Sequence, residues 1–315
     1  MAQDRFWPGF SPTHPREIWN RPRTAGVRKP VRSAPFGLES PIQIVILLEL
    51  SPRKLEVSMP RILPPLFVTL VLAVLATSGY ADAPDEAPLP EARIAELTKS
   101  FQKMLEESSR LVQEKPMSLE GYSQRGDAYF FLGQFKDAVA DYDKMIELDE
   151  TQRPSHWRRG IALFYAERYP DAAAQFESYH SFDQVDRENG IWRYLSQHRA
   201  FGLEKAREGL LQYKKDDREP FPAVYKLFAG KLTPDEILLE IANADLLMTE
   251  REKRLFYAHL YIGLNYAVEG DVVQARQHLA LATRNTWGPV AGYGPTYMWH
   301  VGRLHEELLR KKKEN

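Results

Sequence analysis

YSQRGDAYFFLGQFKDAVADYDKMIELD (122–149) and HWRRGIALFYAERYPDAAAQFESYHSFD (156–183) align without a gap at an offset of 34 residues. Gly126 recurs as Gly160, Phe135 as Tyr169, Ala138 as Ala172 and Tyr142 as Phe176. A fixed period of this length marks stacked supersecondary units, not a chain wrapped once around a single core. The recurring residue types say which unit. Small side chains at Gly126/Gly160 and Ala138/Ala172 let two helices approach closely, and the aromatic positions fill the space between one pair and the next. LGQFKDA (132–138) puts Gly133 where one helix ends and Asp137 in the first turn of the next, a helix–turn–helix connection. The fold class predicted is all-α.

The order aromatic, Gly, Tyr, Gly-x-aromatic, Ala, aromatic resembles the tetratricopeptide repeat (TPR). Over 119–152 the matching residues are Tyr122, Gly126, Tyr129, Gly133, Phe135, Ala138 and Tyr142. Two positions depart from that family: Arg125 stands where it has Leu, and Glu150 where it has Pro. The resemblance implies a helix-turn-helix solenoid with a right-handed superhelix, and a role in holding other proteins.

Further units follow the first two, expected at 119–152 and 153–186. A degenerate copy at 187–220 keeps Ala206 and Leu210 in phase, with Trp192 and Leu195 out of step. A divergent helical pair is expected at 221–255, where TPDE (233–236) reads as a capping box opening the apolar run ILLEIANADLL. The last copy, 256–289, carries Gly263, Tyr266, Gly270, Ala275, Leu279 and Ala282 at matching offsets. Ile94, Leu97, Phe101, Met104, Leu105 and Leu111 recur at helical spacing, a flanking helix that ends before Pro116. A capping helix near 296–312 closes the other end, its basic terminus suited to the helix dipole. The repeat domain as a whole is expected to run from 91 to 312.

The first ninety residues read differently. MPRILPPLFVTLVLAVLATSGYADA begins at Met59 and has no charged side chain from Ile62 to Ala81, with Arg53, Lys54 and Arg61 on its N-terminal side. A basic lead, an apolar centre and a small-residue end are the parts of a secretory signal peptide, which export machinery reads at a chain's beginning. Met59 is therefore the expected start, and 1–58, with eight prolines, a disordered or mis-assigned extension. Cleavage is expected after Ala81 or Ser78, leaving 82–90 as a linker. The alternative is an uncleaved anchor over residues 62–81, about long enough to span a bilayer.

The sequence of 315 residues has a formal net charge of −1, but residues 84–315 alone hold 32 basic and 37 acidic residues. A mildly acidic domain is a poor candidate for nucleic acid, whose binding rests on neutralising phosphates. There is no cysteine, which removes disulfides, thiol catalysis and thiolate metal sites. It also removes lipid anchoring. The eight histidines form no HExxH, and His300 and His305 are five apart, on different helix faces. His259 and His278 sit within a repeat, where packing explains them. The glycines of WGPVAGYGP (287–295) lack the Lys-Ser/Thr of a phosphate loop. Asp141 and Asp143 read as residues of a solvated helix face. No catalytic residue, cofactor site or metal site is predicted.

What remains is aromatic content on the first helices of the repeats. Phe130, Phe131, Trp157, Phe164 and Tyr165, with Arg158, are the candidate lining of a protein-binding groove. The carboxylate clamp of cytosolic chaperone co-factors is absent, since Ser123 and Asp127 stand at its positions. PFPAVYKLFAGKLTPDEILLEIANADL and LYIGLNYAVEGDVVQAR resemble the layout of the bacterial TPR lipoproteins of the NlpI family. That resemblance implies a periplasmic, non-catalytic adaptor bringing a protease together with peptidoglycan hydrolases. Without the lipobox cysteine, this chain is expected to be soluble there, or else a membrane-anchored assembly component of an envelope complex.

Overall fold

The computed structural model describes residues 87–215 and 217–314, with side chains described up to Lys311. The expected extension at 1–58 and the signal segment at 59–81 lie outside the described residues. Among the described residues there are twelve α-helices, two short 3-10 turns and no strand, so the chain is an all-α helical solenoid.

Helix α1 spans Glu91–Glu114, and α2 (Leu119–Phe131) and α3 (Phe135–Leu148) form the first hairpin. Ser118 caps α2, its hydroxyl accepting from the Gly121 N–H at 3.0 Å. The second hairpin is α4 (Trp157–Tyr165) and α5 (Tyr169–Phe182). Helix α6 (Arg187–Phe201) is followed by the short α7 (Leu203–Glu208), so the second helix of this unit stops after six residues. Then come α8 (Phe221–Phe228), α9 (Pro234–Asn243), α10 (Met248–Glu269), α11 (Val272–Arg284) and α12 (Tyr293–Glu314). Thr233 and Glu236 make the full capping box at the start of α9. From α1 to α7 and again from α8 to α12 each helix packs on the next along the chain, the nearest-neighbour stacking of a repeat protein, and α8 packs on α6 and α10.

The recurrent small residues are close-contact points. A Cβ on Gly126 would lie 2.7 Å from the Tyr142 ring, and one on Gly160 2.6 Å from the Phe176 ring. Tyr142 and Phe176 are fully buried, and Gly263 plays the same part against Leu279. The turns also repeat. Gly133 closes α2 at φ +79°, and 34 residues on Glu167 adopts φ 61°, a left-handed conformation that costs a residue with a Cβ about 1–2 kcal/mol.

The arginine that departs from the family pattern has a structural role. Arg125 grips Asp141 with two hydrogen bonds, 2.8 and 2.7 Å, from α2 to α3. One period later Arg159 bonds Gln175 at 2.9 Å, and one period later again Arg193 donates to the Gly209 carbonyl. Each link spans 16 residues and ties the first helix of a unit to its second, so even the degenerate unit at α6 keeps phase. This corrects the expectation for Asp141. Asp141 is buried under Arg125, whereas Asp143 keeps to the solvated face, its side chain 44% exposed while pairing with Arg159 at 2.6 Å.

Candidate functional site

The candidate groove residues come from α2 and α4, the first helices of two successive units. The structure brings five of the six together, but not as an open surface. Helix α12 lies across them. Phe130, fully buried, stacks on Tyr297 of α12 with ring centroids 5.2 Å apart. Phe131 packs on Tyr297 and on His300 at 4.6 Å. Trp157 meets the Tyr297 ring edge-on at 4.9 Å, and the Tyr165 hydroxyl lies 2.9 Å from His305 Nδ1. Phe164 is buried too, turned away from α12 toward Trp192 and Tyr169. The row Phe130, Phe131, Trp157, Arg158 and Tyr165 is therefore an internal interface. Phe130 and Phe131 are withheld from solvent and Trp157 and Tyr165 are half-buried, because α12 supplies the matching aromatic face, Tyr293, Tyr297 and His300 at helical spacing.

The polar centre of this interface is Asp127, 3% exposed. Its Oδ1 accepts from Arg158 Nη1 at 2.7 Å and from the Tyr142 hydroxyl at 2.6 Å. Its Oδ2 accepts from the Tyr293 hydroxyl at 2.5 Å. Arg158 also donates to Ser123 Oγ at 3.0 Å and to the Tyr293 oxygen at 2.9 Å. Burial alone would favour the neutral guanidine, but the Asp127 carboxylate outweighs it and holds Arg158 charged. The phenols of Tyr142 and Tyr293 are pushed well up, by burial first. Ser123 and Asp127 thus stand where a carboxylate clamp would be, and serve a helix of the same chain. Both oxygens of Asp127 are engaged by donors of its own chain.

At its far end α12 is held by Arg303, whose Nη2 donates to the Phe131 carbonyl at 2.9 Å, and by the Arg310–Glu91 pair. His300 is kept neutral well below its ordinary range by burial, with Arg303 and Arg93 adding to the effect.

Two other polar groupings lie apart from this interface. His259 and His278 face each other Nδ1 to Nδ1 at 2.9 Å, and burial with the neighbouring ring pushes His259 down to about 3. Among the described residues no group of three or more His, Asp or Glu could hold a metal ion. The second grouping gathers Asp186, Glu188, Asp217 and Arg218 between α6, the segment before α8, and α10. Arg218 bonds all three carboxylates, and the Tyr261 hydroxyl donates to Glu188. Glu188 is lifted to about 7 and Asp186 to about 6, by burial that the single guanidinium only partly offsets. The sequence offered a signal for the α12 interface, the aromatic stripe of α12, and none for the acidic grouping, whose two halves, Asp186 with Glu188 and Asp217 with Arg218, lie about 30 residues apart.

No helix among the described residues is long and apolar enough to cross a membrane. No curated protein matches the chain. Residues 119–152, the α2–α3 hairpin with the turn that follows it, match the tetratricopeptide repeat family, so this helical protein contains a tetratricopeptide repeat there.

Proposed function

We propose that the protein is a non-catalytic adaptor or scaffold of the bacterial cell envelope, holding other proteins on its helical stack. The observation that carries this reading is the tetratricopeptide repeat at 119–152 within an all-α stack, a construction whose general use is protein–protein interaction. The buried site geometry agrees with it, since the best-formed polar centre, Asp127 with Arg158, is spent on fastening α12 and presents no group for acid–base or nucleophilic chemistry. The segment at 59–81 supports export, and the NlpI-like layout, carried by the stretches at 220–246 and 260–276, supports partners of the kind that family serves, a processing protease or peptidoglycan hydrolases. Because α12 covers Phe130 and Phe131, partners belong, on this reading, on the surfaces of the stack outside that seam.

The test is capture of a C-terminally tagged full chain from the envelope fraction of its host, followed by native mass spectrometry. A bait beginning near Asp82 with a protease or wall hydrolase attached is the expected result. A bait that begins at Met1 and carries only cytosolic proteins overturns the envelope reading. A bait that keeps 62–81 and partitions with detergent favours the anchored assembly component.

A further inference from the structure

Helix α9 is covered on one side. It packs on α10 and α8, and its inner stripe, Ile237 and Ile241, is buried. Leu239 lies about 200° round the helix from both, on the outer face, and is 61% exposed. Past the end of α9 the chain enters α10 through Leu247, the last residue before that helix, and Met248, its first. These two are 80% and 71% exposed. Arg251, one turn on, pins the two helix ends together. Its guanidinium donates to the carbonyls of Ile241 and Ala242 at 3.0 Å and of Ala244 at 2.9 Å. Leu239, Leu247 and Met248 thus stand within a few residues of one fixed corner, whereas an ordinary surface carries such side chains singly.

The charge along this corner has one sign. From Asp235 to Glu250 the chain has five carboxylates and no Lys or Arg. Glu236 is held in the capping box of α9, and Glu250 by Lys253 and Arg254. Asp235, Glu240 and Asp245 are exposed and enter no ion pair among the described residues. Arg251, the cation that follows them, spends its guanidinium on the carbonyls that end α9. That charge selects among the occupants an apolar surface could take. A second copy seated by the same patch would set like carboxylates against each other, and an anionic lipid surface would be repelled in the same way. A stack of helices covers a helix face with another helix, so the fitting occupant is helical, apolar on one stripe and cationic beside it.

We propose that the corner formed by α9 and the start of α10 docks a basic amphipathic helix of a partner protein, its apolar stripe on Leu239, Leu247 and Met248 and its cations against Asp235, Glu240 and Asp245. The inference rests on the protein-binding reading above and makes it specific in place and in partner chemistry. The apolar side chains carry most of the affinity, and the carboxylates at the rim set which sign of helix is accepted.

The experiment uses the full chain and a fluorescent peptide of leucine and lysine patterned as an amphipathic helix. Two controls accompany it, the same pattern with glutamate for lysine and the same composition scrambled. Anisotropy is expected to show saturable binding of the lysine peptide, and binding weaker by about tenfold or more for both controls. Leu247→Ser with Met248→Ser should weaken the lysine peptide to the same extent and leave thermal unfolding unchanged, since both side chains face water. Glu240→Lys with Asp245→Lys should turn the preference toward the glutamate peptide. Amide exchange should place the lysine peptide on the last turn of α9 and the first turn of α10. No binding of the lysine peptide, equal binding to the unaltered chain and the serine variant, or equal binding of the lysine and glutamate peptides overturns the proposal. Phosphatidylglycerol vesicles, or a second copy seen by native mass spectrometry, held by the unaltered chain and lost in the serine variant, overturn it in favour of that occupant. A partner protein captured equally by the unaltered chain and the serine variant sinks this surface alone and leaves the adaptor reading standing. A chain that binds the lysine peptide at this corner yet captures no partner from its host keeps the surface and sinks the adaptor reading.

Discussion

Replacing Asp127 by Asn removes one negative charge and almost nothing else. In the native protein that carboxylate faces Arg158, whose side chain is only 11% exposed, and takes the hydroxyls of Tyr142 and Tyr293. The amide keeps the shape, but it leaves the guanidinium buried without its counter-charge and turns a donor toward a phenol. Breaking a buried pair from one side costs about 3–5 kcal/mol; with Ser123 and Tyr293 still accepting from Arg158, about 3 is expected. Asp127→Leu combined with Arg158→Met removes both charges and should destabilise less than Asp127→Leu alone, giving a coupling of about 2 kcal/mol or more. Urea unfolding at pH 7, followed by far-UV circular dichroism, measures the four corners of the cycle. Amide exchange locates the loss, which should fall first on α12. If Asp127→Asn stays within about 1 kcal/mol of the parent and the coupling is near zero, the polar centre does not fasten α12 and aromatic packing alone does.

Three further outcomes are expected. Glu167→Gly should stabilise the protein by about 1 kcal/mol in thermal unfolding, because the residue is exposed and sits at φ 61°, the conformation its counterpart Gly133 adopts freely. Thr233→Ala removes the hydroxyl that accepts from the Glu236 N–H and should lower stability by about 1 kcal/mol, with exchange rising in α9. The third concerns pH. Glu188 and Asp186 hold their protons up to about 7 and about 6, while in the unfolded chain both release them in the ordinary carboxylate range. The folded state therefore binds more protons over that window, so their contribution to stability falls as pH rises from about 4 to about 7 and is level above it. Chemical denaturation across that window should show the decline, and Glu188→Gln should flatten it; an unchanged slope would place the titration elsewhere.

What could be read in the sequence follows the distance over which each interaction acts. Gly126 against Tyr142 and Gly160 against Phe176 are contacts within a hairpin, so they recur with the period and announce the repeat. The arginine links share that legibility: Arg125, Arg159 and Arg193 are 34 apart, and the first stands out as a departure from the family's Leu. Contacts across the stack leave no local trace. Tyr293 reaches Asp127 across 166 residues, and nothing near either residue says so. Hence the sequence shows Phe130, Phe131, Trp157, Arg158 and Tyr165 as aromatic and basic content of first helices, and not that α12 covers Phe130 and Phe131. The aromatic spacing of Tyr293, Tyr297 and His300 was the available clue. For the acidic grouping no such clue existed, because its members sit on α6, beside α8 and on α10, in the part of the chain where the repeat pattern is weakest.

The lid that α12 forms over α2 and α4 changes what kind of object the solenoid is. An open stack can be lengthened or shortened by whole units, since each unit answers only to its neighbours. Here the last helix must arrive at fixed positions on the first ones, Arg303 at the Phe131 carbonyl and Arg310 at Glu91. Inserting one 34-residue unit between α5 and α6 would carry α12 out of register with its seat. During synthesis, too, Phe130 and Phe131 stay bare until the final segment leaves the ribosome, so the earliest repeat is the last to be finished. A nonsense codon near the end of the message would then be felt at the opposite terminus, as a sticky aromatic strip on an otherwise folded body.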